Sequence, residues 1–310
     1  MRTSFLDAPA PNSAGSSGAR SLSSITFLSR LSFFTMRIWV ICGFLAGMLF
    51  AAGCNAESPT DTSPASETAF VPASPADSLA LRLYEAHGGE AWEAAPYLRF
   101  DFAVEQGEQQ RVVARHLWNR TAGTYRVEWT NSETDWVALL DLHSDDDPPV
   151  GQVFQDGEEV VGEAADEALQ QAYQRYINDT YWLLAPLKVL DEGVQRTYDA
   201  DASTAGREVL HLSFGDVGLT PGDQYWLHVD SETGRLVEWA FHLESMPEDA
   251  ERRRFIWTGE TAFDSAAGRI HLHTRKESTE GNMAITMPTL DLPEAVDESL
   301  FTDGTPNRLQ

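Results

Sequence analysis

The feature that most constrains the fold is a change in the spacing of apolar residues at Tyr97. From Leu98 to Val104, apolar side chains alternate with their neighbours, which is the period of a half-buried β-strand. Similar stretches, each predicted to be a strand, follow at residues 111–118, 124–130, 135–142, 151–155, 158–161, 194–198, 208–214, 224–230, 235–244, 253–261, 269–276 and 283–287. So many short strands joined by turns predict one large antiparallel sheet.

Two other segments have helical spacing. The first begins after Ser74, which is suited to capping a helix, and ends at residues 87–89, His-Gly-Gly. There the glycines let the chain leave the helix, and the histidine is expected to pair with a late helical carbonyl. The second comprises residues 164–176, extended by the strongly apolar residues 181–187, and Pro186 is expected to kink or end it.

The predicted sheet is wider than the predicted helices. About twelve strands spaced about 4.8 Å apart make a sheet roughly 55 Å wide, which must curl. Two helices about 10 Å across cover less than half of it. The fold class predicted is therefore α+β, a strongly curved antiparallel half-barrel with helices covering its concave face.

The concave face then holds either a partly filled cavity lined by aromatic side chains or a fully packed core. Both alternatives use the same residues, because the apolar sides of several strands and of the second helix carry large rings. The residues expected to line a ligand cavity are Phe100, Phe102, Trp182, Trp239, Phe241, Phe255 and Trp257.

Residues 36–54 predict export and attachment of a lipid. Arg37 precedes an apolar run over residues 38–52, which is too short for a comfortable membrane span of about 20 residues. The run ends at Cys54, and this ending resembles a bacterial lipobox, with Ala51 where leucine is usual. The resemblance implies that the Cys54 thiol carries the lipid. The alternative is a plain signal peptide or signal anchor with an incidental cysteine.

The chain is predicted to have four parts. Residues 1–35 are expected to be a mis-assigned N-terminal extension, because Met36 begins a complete signal by itself; the alternative is a long positive leader. Residues 36–53 are the predicted lipoprotein signal peptide. Residues 54–76, rich in Pro, Ser, Thr and Glu, are a predicted disordered tether, and residues 77–310 a single half-barrel domain.

The charge of the chain excludes several classes of partner. Residues 1–53 carry four arginines and one aspartate, so their removal changes the net charge from −26 to −29. Lys188 and Lys276 are the only lysines. Nucleic acids and anionic lipid headgroups attract positive potential, so neither is an expected partner. The oligomeric state does not follow from the sequence.

No motif in the sequence predicts catalysis or a cofactor. Phosphate loops, dinucleotide fingerprints, HExxH and GxSxG are all missing from the sequence, and so is any cysteine after Cys54. The alternation along the strands predicts that five histidines lie on the polar face of the sheet: His211, His228, His242, His271 and His273. A metal at His271-x-His273, or a hydrolase using this face, is the less favoured alternative. We therefore expect no enzyme, no cofactor and no metal.

The whole pattern resembles the lipoprotein-localisation (Lol) carrier and receptor superfamily. A lipobox and linker, a first helix, a curled antiparallel sheet and a mid-chain helical segment occur there in the same order. Residues 225–243, YWLHVDSETGRLVEWAFHL, look like the hairpin of such proteins. His87-Gly88-Gly89 with Trp92, followed by NDTYWLLAPLKVLDEG at residues 178–193, looks like a group of uncharacterised envelope lipoproteins.

That resemblance implies a lipid-anchored envelope protein whose half-barrel holds a lipid, an acyl chain or an acylated partner, without a cofactor. Asn55 follows the lipidated residue, and similarity to the enterobacterial sorting rule, which retains Asp there, favours the outer membrane. The alternative is a structural or partner-binding envelope lipoprotein whose core is simply full.

Replacing Cys54 with serine tests the anchoring. Serine has no thiol to form the thioether, so we expect Cys54→Ser to accumulate as an unprocessed or soluble form. Fractionation of cells and labelling with a radioactive fatty acid measure this. Membrane attachment unchanged in the variant would contradict the prediction.

Overall fold

The computed structural model describes residues 70–215 and 220–310. The predicted signal peptide, Cys54 and most of the tether lie outside the described residues, so these predictions stay predictions. Three α-helices are present in the described part: α1 (Pro75–Ala86), α2 (Gly89–Ala94) and α3 (Glu163–Leu184). None of its helices is long and apolar enough to cross a membrane.

The strands all belong to one antiparallel sheet, which within the described residues has fourteen strands. Their bounds are β1 (Tyr97–Gln106), β2 (Gln109–Asn119), β3 (Thr124–Asn131), β4 (Thr134–Asp141), β5 (Gly151–Gln155), β6 (Glu158–Val160), β7 (Val194–Tyr198), β8 (Arg207–Phe214), β9 (Gln224–Asp230), β10 (Leu236–His242), β11 (Arg253–Ser265), β12 (Gly268–Ser278), β13 (Met283–Thr286) and β14 (Leu290–Asp291).

The order of the strands explains why the sheet is curved. It runs β6-β5-β4-β3-β2-β1-β13-β12-β11-β10-β9-β8-β7, with β14 beside β1. The two outer strands, β6 and β7, follow one another in the chain and are connected through α3. Along the sheet they are about 58 Å apart at about 4.8 Å per strand, whereas a 22-residue helix is about 33 Å long. The sheet therefore curls around α3, and the predicted half-barrel is confirmed.

The helix α3 packs on both halves of this sheet. Its Ala168 and Ala172 belong to a buried apolar cluster with β3, β4 and β5. Tyr176 lies edge-on to Tyr125 of β3, with ring centroids 4.8 Å apart. Near its C-terminus, Trp182 contacts β10 and β11. The concave face of the sheet is thus covered along the length of one helix.

The predicted start and end of α1 are confirmed. The Ser74 side chain accepts a hydrogen bond from the Asp77 backbone N–H at 3.1 Å, and Pro75 is the first helical residue. Pro75 and Ala76, assigned above to the tether, are therefore helical. The His87 Nδ1 lies 3.0 Å from the Leu83 carbonyl oxygen, as expected.

Gly88 is required where α1 meets the sheet. Its φ is +83°, and a Cβ there would lie 2.0 Å from the Arg269 carbonyl oxygen of β12. In the same place the His271 backbone N–H donates to the His87 carbonyl at 3.1 Å. The turn between α1 and α2 is thus packed backbone against backbone on β12.

The predicted strands are all present, with differences at their ends. β11 continues to Ser265, four residues beyond the predicted end, and the two-residue β14 was missed. The two predicted pieces of α3 form one helix, because the polar residues between them remain helical and Thr180 donates to the Tyr176 carbonyl at 2.5 Å. A 3₁₀ turn, Ala185–Leu187, contains Pro186 and ends the helix as expected.

A buried ion pair holds the C-terminal segment on the sheet. Arg126 and Glu128 of β3 are both buried and 2.7 Å apart. The Arg126 guanidinium also donates to the carbonyl oxygens of Leu300 at 2.9 Å and Thr305 at 2.5 Å. Glu128 accepts from the backbone N–H of Leu309 at 3.4 Å. The pair therefore satisfies backbone groups of a segment that has little regular structure of its own.

Replacing Arg126 with methionine should destabilise the protein by about 3–5 kcal/mol, because it leaves the Glu128 charge buried without a counter-charge. Arg308→Met is the matched control, since Arg308 is about one-third exposed and pairs with Asp303 at the surface. We expect the control to cost at most about 1 kcal/mol. Urea unfolding measures both, and equal losses would contradict the assigned role of Arg126.

Candidate functional site

Five of the seven aromatic residues predicted for the concave face meet in one place, called here the aromatic cluster: Trp182, Trp239, Phe241, Phe255 and Trp257. Trp239 and Phe255 are register partners on β10 and β11. The Trp182 ring of α3 lies 4.6 Å from the Trp239 ring and 4.9 Å from the Phe255 ring, edge-on to both. The Trp239 and Trp257 rings are 5.4 Å apart.

The other two predicted residues lie elsewhere. Phe100 and Phe102 belong to β1, and the Phe100 ring stacks on His116 at 4.4 Å. No ring contact among the described residues joins either of them to the aromatic cluster. The alternation along β1 predicted that both rings line the same cavity as the other five. The strands β13 and β12 separate β1 from β11, so the two rings lie apart from the aromatic cluster.

The aromatic cluster fills the space beneath the C-terminal half of α3. Its five side chains are between 1 and 6% exposed and contact one another directly. Two surface depressions of the described chain lie at the β5–β6 hairpin and between β4, β5 and Phe301, and none of the seven predicted rings lines either. In this conformation the aromatic cluster is closed to solvent.

Two tyrosines that the sequence analysis did not single out extend the aromatic cluster. The Tyr181 ring lies 5.8 Å from the Trp239 ring and 5.1 Å from the Tyr225 ring. Tyr225 could have been found from the alternation of Tyr225, Leu227 and Val229 along β9. Burial raises the pKa of the Tyr181 hydroxyl. Its oxygen and the indole nitrogens of Trp239 and Trp257 have no hydrogen-bond partner among the described residues.

A buried polar contact fixes α3 to the other half of the sheet. The Asp179 carboxylate of α3 lies 3.1 Å from His116 Nε2 of β2, and the Tyr125 hydroxyl lies 2.8 Å from His116 Nδ1. His116 is fully buried and Asp179 is 3% exposed. Because buried polar groups are costly unless paired, this contact sets where α3 sits on the sheet. The alternation along β2 could have predicted that His116 is buried, because it lies two residues from Ala114 and two from Trp118, on the apolar side of the strand.

The histidines do not all lie on the polar face. His271 does lie beside polar groups, with its Nδ1 3.0 Å from Glu260. His273 is only 5% exposed, so its predicted place on a solvated face is wrong. The turn after α1 covers it, and its ring lies 5.8 Å from the His87 ring and 5.7 Å from the Trp257 ring. Within the described residues no three His, Cys, Asp or Glu side chains gather as a metal site.

Replacing Asp179 with alanine should lower the free energy of unfolding by about 1–3 kcal/mol, because it leaves His116 Nε2 buried and unpaired. Amide exchange in the C-terminal half of α3 should become faster. Glu167→Ala is the control, since Glu167 is exposed on the same helix and should change the stability by no more than about 0.5 kcal/mol. Unchanged exchange in Asp179→Ala would contradict a fixing role for this contact.

The chain is similar to several solved structures at low sequence identity. One is a DUF1329 family protein from Desulfovibrio piger, with 10% identity, a TM-score of 0.39, and coverage of 72% of this chain and 94% of that one. Another is a LolA superfamily protein from Nitrosomonas europaea, with 12% identity, a TM-score of 0.37, and coverage of 73% and 96%.

A third similar structure is a domain described as an outer membrane lipoprotein-sorting protein, from Vibrio parahaemolyticus. It has 7% identity and a TM-score of 0.38, with coverage of 72% of this chain and 94% of that one. No family model and no curated protein matches the chain.

Proposed function

We propose that this chain is a lipid-anchored protein of the cell envelope that binds an acyl chain, free or carried by a partner, beneath α3. The observation that carries the proposal is the aromatic cluster itself. It is a continuous apolar surface on adjacent strands, and a single helix covers it. The proposal assigns no reaction and no cofactor to the chain.

The composition of the aromatic cluster supports a binding surface. Aromatic rings present large apolar areas and dominate the energetics of many binding sites. Three buried polar atoms, in Tyr181, Trp239 and Trp257, face this region without a partner among the described residues. A few polar groups within an apolar lining are typical of sites that orient an amphipathic ligand.

Binding requires α3 to move, because the rings fill the space in the closed conformation. Trp182, the ring that α3 contributes, packs on Trp239 and Phe255 and would be the first to leave them. The Asp179–His116 contact lies on the same helix, three residues earlier, and would serve as the fixed point of that movement.

The N-terminal lipid would keep the domain close to a source of acyl chains. A tether of about 20 residues has an r.m.s. reach of roughly 22–27 Å. That distance lets the half-barrel approach the outer membrane, the location that Asn55 favours, and turn relative to it. The negative net charge of the chain keeps it from adhering to anionic headgroups.

A fluorescent fatty acid tests the proposal. Each buried methylene gains about 0.8 kcal/mol, which is enough for micromolar affinity after the cost of association. We expect the probe to bind and to quench tryptophan emission, and Phe241→Glu to abolish both effects.

Ile256→Glu is the matched control for this experiment, since Ile256 lies on β11 between Phe255 and Trp257 but is 42% exposed. It should bind the probe as the wild type does. Absence of binding by the wild type would contradict the proposal, and thermal unfolding shows whether Phe241→Glu remains folded.

A second candidate is a structural or partner-binding envelope lipoprotein whose core is full. The observation that favours it is the near-complete burial of all seven predicted rings. It predicts that no acyl probe binds the wild type and that Phe241→Glu unfolds the protein, because an unpaired carboxylate would replace a core ring.

A further inference from the structure

A compact group of basic and donor side chains adjoins the aromatic cluster and is called here the basic cluster: His87, Trp257, His273 and Lys276. Trp257 and Lys276 are register partners on β11 and β12. The Lys276 Nζ lies 4.7 Å from the centre of the Trp257 ring. The His273 ring lies 5.7 Å from the Trp257 ring and 5.8 Å from the His87 ring.

All four side chains are buried, and Lys276 has no carboxylate partner among the described residues. Its exposure is 0%, and its amine donates to the His273 carbonyl at 2.6 Å and lies 3.2 Å from the Met287 sulfur. The neighbouring carboxylate of Glu260 pairs instead with Arg235 and with His271. A buried lysine without a counter-charge is costly, so its presence calls for an explanation.

Burial disfavours the charged forms of the three basic groups. It lowers the pKa of Lys276 well below the usual value, and it lowers the pKa of His87 to about 4 and of His273 to about 3. An anion that enters the cluster would favour the protonated, charged form of Lys276.

Three ring nitrogens of the basic cluster lack a hydrogen-bond partner in the described part of the chain. They are His87 Nε2, Trp257 Nε1 and His273 Nδ1. The indole nitrogen can only donate, whereas His87 Nε2 accepts when Nδ1 donates to the Leu83 carbonyl. Buried polar atoms are nearly always paired, so three atoms without a protein partner in one cluster offer hydrogen bonds to a polar group that enters it.

We propose that the basic cluster binds the carboxyl group of a free fatty acid whose chain lies along the aromatic cluster. The carboxylate oxygens accept from the Trp257 indole N–H and from the Lys276 amine, which becomes an ammonium by taking the proton of the acid. His87 and His273 border the site without taking that proton. This inference rests on the proposed acyl-binding function and specifies the class of ligand.

Trp257 links the two halves of the proposed site. Its ring packs on Trp239 of the aromatic cluster at 5.4 Å, and the same ring lies under the Lys276 amine. A ligand with its polar end at Lys276 therefore has its first methylenes at Trp257 and the rest of its chain beside Trp239. An ester or an alcohol of the same length offers neither a proton nor a negative charge to Lys276.

Displacement of the neutral dye Nile red by decanoic acid and by methyl decanoate tests the inference. A hydrogen bond to a charged group discriminates by about ten- to a hundredfold, so decanoic acid should displace the dye at a correspondingly lower concentration. Lys276→Met should abolish this preference by weakening the acid and leaving the ester unchanged. Methionine has a similar length and removes the buried amine, so the fold should be retained.

The control is Lys188→Met, which removes the other lysine, a partly exposed residue paired with Asp191, and should keep the full preference. Equal displacement by acid and ester in the wild type would overturn the inference while leaving acyl binding intact. Displacement by neither would contradict the proposed function itself. If Lys276→Met does not fold, Trp257→Phe is measured in its place, since it removes the indole N–H. An undiminished preference for decanoic acid over methyl decanoate in Trp257→Phe would also overturn the inference.

Decyl phosphate, measured beside the other two ligands, distinguishes the kind of anion. A carboxyl-specific site should bind decanoic acid more tightly than decyl phosphate, because the phosphate head carries more charge that must be desolvated in a buried site. Tighter binding of decyl phosphate would assign the site to a phosphate head and overturn the carboxylate assignment.

Discussion

The helix α3 connects the two outer edges of one sheet, and the rest of the structure depends on that connection. β6 and β7 lie at opposite ends of the strand order but next to each other in the chain. A helix about 33 Å long cannot join edges about 58 Å apart on a flat sheet without long extended connections. Curvature brings the edges closer, and the helix then lies across the concave face that it has created.

This geometry places two different contacts beneath one helix. Toward one half of the sheet, Asp179 pairs with the buried His116, a directional contact with a defined position. Toward the other half, Trp182 packs edge-on against apolar rings, a contact without a hydrogen bond. The proposed acyl binding would open the helix on this apolar side.

Much of the fold could be predicted from the sequence, because alternation along strands and capping at helix ends are local signals. Ser74 and Gly88 marked the ends of α1 correctly, and five of seven aromatic residues were placed in one cluster. The remaining features depend on contacts between distant segments. His273 looked solvated by its parity, but the turn after α1 covers it. Arg126 is buried because the C-terminal segment, distant in the sequence, packs over it.

Native mass spectrometry of the full chain, released gently from the membrane, tests acyl binding beneath α3 most directly. A covalent lipid at Cys54 would contribute equally to the native and the denatured mass, so only a ligand held without a covalent bond appears in their difference. Acyl binding predicts a difference equal to one acyl ligand per chain, and its loss in Phe241→Glu. Identical native and denatured masses, in material that also fails to take up added fatty acid, would contradict it.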